Sequence, residues 1–158
     1  MRPAPLAFLL PALVCCCPTV GQTPEAPFPE GANQIAQRAE DLTWGPCPVQ
    51  ISKDCRMAVL EGNPKEPGLF TLRFSSESPF KLPVHRHPRH ERVTVLQGSI
   101  HVAFGDSLNE AKGQRFSSGD YYVNRATVAH SVWTTGPVTA QITGFGPWVV
   151  EPVTPTGE

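Results

Sequence analysis

From Asp41 onward the chain is cut into short apolar runs by clusters of Gly, Pro, Asn and Ser, and no run after Glu40 keeps a helical period. With 18 Pro and 13 Gly in 158 residues, a helical bundle is excluded and a loop-rich, all-β barrel or sandwich is favoured. The candidate strands are Arg56 to Leu60, Phe70 to Phe74, Val93 to Leu96, Ile100 to Phe104, Tyr121 to Val123, Ala129 to Thr134 and Val138 to Phe145. Gln97-Gly98, between the third and fourth of these, reads as a hairpin turn. Residues 41–152 form one domain, long enough to bury a core without staples. A net charge of −1 gives nucleic acid or an acidic membrane surface no reason to bind.

The N-terminus reads as an address. Residues 1–21 carry one basic residue, Arg2, then an apolar stretch from Leu6 to Cys17, then small residues ending at a cleavage site after Thr19-Val20-Gly21. That stretch is too short for a membrane span and fits a secretory signal peptide. The expected location is secreted or periplasmic, with no stable membrane span after cleavage. Lipid anchoring at Cys15, Cys16 or Cys17 is the weaker alternative, because the residues before them make a poor lipoprotein signal. Residues 22–40 would follow as a Pro-rich linker and a short helix from Asn33 to Glu40, capped by Asn33. Residues 153–158 would be a tail. Cleavage leaves Cys47 and Cys55, an even pair that in an exported chain is a disulfide candidate, against the alternative of two free thiols in a loop.

The chemistry lies in His85, His87, Glu91 and His130. In the first three, His-x-His is followed by three residues and Glu, then six residues and Gly98. On a strand, residues i and i+2 share a face, so His85 and His87 do, and Pro88 turns the chain into the next strand. There Glu91 shares its face with Val93 and Val95, as His130 does with Val128 and Val132. Imidazoles and a carboxylate on an inward apolar face need compensation, which a metal ion supplies. The alternative is a solvated His/Arg loop. The nearby Arg86, Arg89 and Arg92 make too short a basic patch, in a chain without basic excess, to read as a nucleic-acid site.

His85, His87, Glu91 and Gly98 match the first cupin motif position for position, and Gly119 and His130 fit the second. Arg125, Thr127 and Thr134 replace the Pro, Gly and Asn usual in that second motif. Over about Asp41 to Pro152 the chain resembles small exported bacterial cupins. The shared features are Asp41-Leu42 with Trp44, Pro67 to Thr71, Val93 to Leu96, and Gly144 to Pro147. The resemblance implies a single-domain jelly-roll β-barrel with the metal inside its open end, and a family in which homodimers are common and no substrate is agreed for this subgroup.

Three neutral imidazoles and one carboxylate suit Mn, Fe, Ni, Co, Cu or Zn rather than Ca or Mg. Four protein ligands on a six-coordinate ion leave two positions for water, O₂ or a small-molecule substrate. Glu91 would balance charge and, in related enzymes, can also take a proton, which makes it the candidate catalytic residue. Three functions follow: a dioxygenase-like oxidoreductase acting on a small organic substrate, a non-redox isomerase or lyase, and a non-catalytic ligand-binding module. Strand alternation points His90 and His101 away from the metal. Phe104, Tyr121, Tyr122, Trp133 and Phe145 are candidate pocket aromatics. Arg73 and Arg125 could hold an anion but are more simply surface residues, and Trp44 and Trp148 read as packing at the domain's ends.

Overall fold

The structure, a computed structural model, describes residues 28–47 and 54–154. Within them the period-two pattern becomes two antiparallel sheets and almost no helix. One sheet holds β1 (Gly45–Pro46), β2 (Arg56–Glu61), β3 (Gly68–Ser76), β5 (Glu91–Gln97), β8 (Tyr121–Asn124) and β10 (Val138–Gly146). Its spatial order is β1-β2-β3-β10-β5-β8. The other holds β4 (Lys81–Arg86), β6 (Ser99–Phe104), β7 (Gln114–Ser117), β9 (His130–Trp133) and β11 (Glu151–Pro152), in the order β11-β4-β9-β6-β7. This is a jelly-roll arrangement, with the core between the two inner faces.

Alternation decides which side chains fill that core. β10 alternates buried and half-buried along its whole length, and β5 does so from Glu91 to Val95. Phe70, Leu72 and Phe74 of β3 meet Val93 and Val95 of β5, Ala140 and Ile142 of β10, and Ile100 and Val102 of β6. Each large apolar side chain removed from water here contributes roughly 1.5–3 kcal/mol. Phe74 and Phe80 add an edge-to-face contact, their centroids 5.5 Å apart.

Every strand foreseen from the sequence is present, with β4, β7 and the two-residue β1 and β11 in addition. Gln97-Gly98 is not a hairpin turn, because β5 and β6 belong to different sheets. Gly98 is instead the corner at which the chain changes sheet. Its φ is +79°, and a Cβ there would collide with the carbonyl oxygen of Pro137, so only glycine fits. The helix expected from Asn33 to Glu40 is also absent: a 3₁₀ turn at Ala39–Asp41 is all that forms. A helix so short needs a buried face to hold it, and residues 33–40 are all exposed.

Cys47 and Cys55 are joined as a disulfide, their Cα atoms 5.7 Å apart. It ties the start of β2 to β1, where Cys47 N–H also donates to the Cys55 carbonyl. The expected signal peptide, the first part of the linker and the last residues of the tail lie outside the described residues.

Candidate metal centre

β4 and β9 are neighbours, and their register sets His85 opposite His130. His87 lies just past the end of β4, and Glu91 opens β5 on the facing sheet. The three histidines foreseen as ligands therefore converge at one end of the barrel, with Glu91 beside His87 rather than in the cluster itself. All are buried, from 0% exposure for His130 to 7% for Glu91.

Backbone carbonyls fix the tautomer of each ring. His85 Nδ1 is 2.7 Å from the Pro83 oxygen, His87 Nδ1 is 2.7 Å from that of Val149, and His130 Nδ1 is 3.1 Å from that of Val128. A carbonyl only accepts, so each Nδ1 carries the proton and donates it. Each Nε2 is left with its lone pair. One ligand atom from each of the three rings lies within 4.8 Å of the other two. Burial pushes the His85 pKa down to about 4, partly offset by the Pro83 hydrogen bond, with His130 and His87 lowering it further. Burial likewise lowers His130. Both rings are neutral at pH 7, the state a metal requires.

His87 Nε2 is buried without a hydrogen-bond partner and stands 3.4 Å from Glu91 Oε1. A lone pair and a carboxylate oxygen so close require a cation between them, either a proton or a metal ion. The donor set therefore fits a divalent transition ion. Glu91 itself is clamped: Trp148 Nε1 donates to Oε1 at 3.2 Å and Asn124 Nδ2 to Oε2 at 3.0 Å. Asn124 Nδ2 is also 3.2 Å from His130 Nε2.

Neither Trp148 nor Asn124 was foreseen at the site. Trp148 does more than pack a terminus, since its ring also stacks on His87 with centroids 5.8 Å apart. Its position follows from Gly146, where a Cβ would collide with the Glu66 carbonyl oxygen, and from its own N–H, which donates to the Pro64 oxygen. Asn124 pairs with Glu91 across β8 and β5. Its signal in the sequence is alternation, which places it on the same face as Tyr122.

No protein-family model and no curated protein sequence matches the chain. Solved structures do. The polyketide cyclase RemF from Streptomyces resistomycificus superposes with a TM-score of 0.64 at 14% identity, covering 77% of this chain and 86% of its own. An RmlC-like cupin from Shewanella frigidimarina gives 0.55 at 16% identity, covering 71% and 90%. KdgF from a Halomonas species gives 0.52 at 20% identity, covering 70% and 90%. The chain therefore has the cupin fold.

The remaining foreseen residues divide cleanly. His90 is exposed and turned from the cluster, its Nδ1 accepting the Ala126 N–H at 2.8 Å. His101 stacks on Trp133 away from the barrel interior. Tyr122 lines the cavity beside the histidines, whereas Tyr121 is 57% exposed. Phe104 sits at the rim, its ring centroid 6.0 Å from that of His130. Trp133 and Phe145 do not line the cavity, and neither do Arg73 and Arg125. Arg73 instead donates to Gln141 across the outer face, and Arg125 is exposed. Trp44 lies under the Arg56 guanidinium.

The altered second motif is legible in the backbone. Thr127, standing where cupins usually have Gly, keeps a left-handed φ of +65° and donates its N–H to the His87 oxygen. Thr134, in place of Asn, ties β9 to β4: its N–H donates to the Phe80 oxygen, and its Oγ1 accepts from the Phe80 N–H.

Proposed function

We propose that this cupin is a metal-dependent enzyme for a small organic substrate. A divalent Mn, Fe, Ni, Cu or Zn ion would be held by the Nε2 atoms of His85, His87 and His130, with Glu91 as fourth ligand or as the base beside it. The observation that carries the reading is the set of three Nδ1–H groups all anchored to carbonyls, which leaves Nε2 as the ligand atom of three rings clustered within 4.8 Å of one another. When bound, such an ion supplies Lewis acidity and, for a redox-active metal, electron transfer to O₂. The chain supplies the rest. Trp148 and Asn124 hold the Glu91 carboxylate in one orientation, from which it can take and return a proton, and the apolar barrel wall excludes bulk water.

Oxidation by O₂ is the first reaction to test, because neutral imidazoles and a single carboxylate suit redox metals. A non-redox isomerase or lyase is the second. It is favoured by the clamp on Glu91, which keeps a base beside a Lewis acid, and by the likeness to a polyketide cyclase. Oxygen consumption by the iron- or manganese-loaded protein, screened over small organic molecules, tests the first. Turnover with zinc in the absence of O₂ would replace it with the second. Tight binding without turnover under every metal would leave a binding module.

The apolar N-terminal stretch and the Cys47–Cys55 disulfide support export to the periplasm or medium. Recovery there of a chain beginning at Gln22 is the expected result. A cytoplasmic chain beginning at Met1 would overturn it.

A further inference from the structure

A cavity runs from the His cluster into the barrel, walled by Phe74, Phe80, Leu82, Ile100, Val132 and Ile142. About 60 Å³ of it is open to the centre of a water-sized sphere, several times what one water needs. That is room for one ring or a short branched chain. Among the described residues no Arg or Lys lines it, and Glu91 is the only carboxylate there. Beyond the cluster the polar side chains on its wall are those of Trp148, whose N–H already serves Glu91, and Tyr122. Burial and the Glu91 charge keep the Tyr122 phenol protonated, and so a donor.

A second charge on a substrate would find no partner there, and stranding a buried ion costs several kcal/mol. Each unmatched hydroxyl costs about 1–3 kcal/mol. A compact apolar body meets none of these penalties and gains roughly 25 cal/mol for each Å² it hides from water. We infer that the substrate is a molecule of about one ring, with an uncharged, apolar body and a single oxygen-bearing end directed at the His cluster. Sugar acids, dicarboxylates and polyols are excluded. This rests on the metal-dependent reading above for the role of the oxygen-bearing end, while the apolar chamber stands on its lining alone.

The test is calorimetric titration of zinc-loaded protein with three carboxylates that share a head and differ in body: benzoate, succinate and glycerate. Benzoate should bind at least tenfold tighter than the other two. Ala140, on the chamber wall and 1% exposed, is replaced by the larger side chain in Ala140→Phe. That variant should weaken benzoate at least tenfold and keep its zinc. Equal affinities, failure of benzoate to bind, or unchanged benzoate binding in a folded Ala140→Phe would each overturn the inference. Phenol titrated into chelator-treated protein separates the two readings. Phenol bound in protein that takes up no metal would refute the metal centre and support the chamber. Zinc bound without preference among the carboxylates would refute the chamber and leave the metal centre.

Discussion

Replacing His85 by Gln removes a proton-binding group that folding suppresses. In the unfolded chain this imidazole titrates near its ordinary value of 6.5, and in the folded protein burial brings it to about 4. Between those values the unfolded chain holds a proton that the folded protein does not. Stability therefore rises with pH across the window, is complete above about pH 6.5, and is lost as pH falls towards about 4. At about 1.4 kcal/mol per pH unit, the interval amounts to about 3 kcal/mol, a sizeable share of a typical domain's 5–15 kcal/mol. The assay is urea unfolding of the chelator-treated protein at several pH values between about 4 and 7, wild type beside His85→Gln. Carboxylates titrate in both proteins, so the difference between the curves is the readout. The wild-type curve should be steeper by up to one proton, about 1.4 kcal/mol per pH unit. Parallel curves would refute the claim that His85 is held neutral by burial.

Three further outcomes follow from the geometry. Trp148→Phe keeps the ring stack on His87 but removes the N–H donor to Glu91, and should weaken metal binding 10–100-fold by competition with a chromogenic chelator while the fold persists. Unchanged affinity would show that the clamp on Glu91 does not matter to the ion. Thr127→Gly relieves a left-handed backbone worth roughly 1–2 kcal/mol, against about 0.5–1 kcal/mol of added chain entropy. A net gain of about 0.5–1 kcal/mol is expected in urea unfolding, and a loss would mean the Thr side chain contributes more than its strain costs. Cys47→Ser with Cys55→Ser opens a loop with a sequence separation of 8, and chain entropy puts the cost at about 2.5 kcal/mol. No change in unfolding midpoint between the oxidised and double-variant proteins would contradict it.

Much of this was legible in the sequence, because both signals are local. Alternation placed Glu91, Val93 and Val95 on one face, and the structure buries all three. The His-x-His pair and its distant partner His130 were visible because few roles other than metal binding bring buried imidazoles together. What stayed hidden depends on which strands become neighbours. β4 was not delimited because Pro83 breaks its pattern, and the chain tolerates it there because Pro83 falls in the irregularity between Leu82 and His85 where the pairing of β4 with β9 shifts register. β7 escaped because it is an edge strand with no fully buried residue. Trp148 is brought to Glu91 from 57 residues away by the loop after β10, and no local spacing announces that. Gly98 carried the right signal and the wrong inference: a left-handed glycine between strands marks a turn in the chain but does not say whether the strands pair.

The central claim is the metal centre, and elemental analysis of the protein tests it most directly. The protein is purified without chelator, beside His85→Ala, His130→Ala and His90→Ala. About one transition ion per chain, absent from the first two variants with the β-sheet spectrum retained and present in the third, is the predicted result. Metal retained in both His85→Ala and His130→Ala, or no metal in a folded wild-type protein, would contradict it.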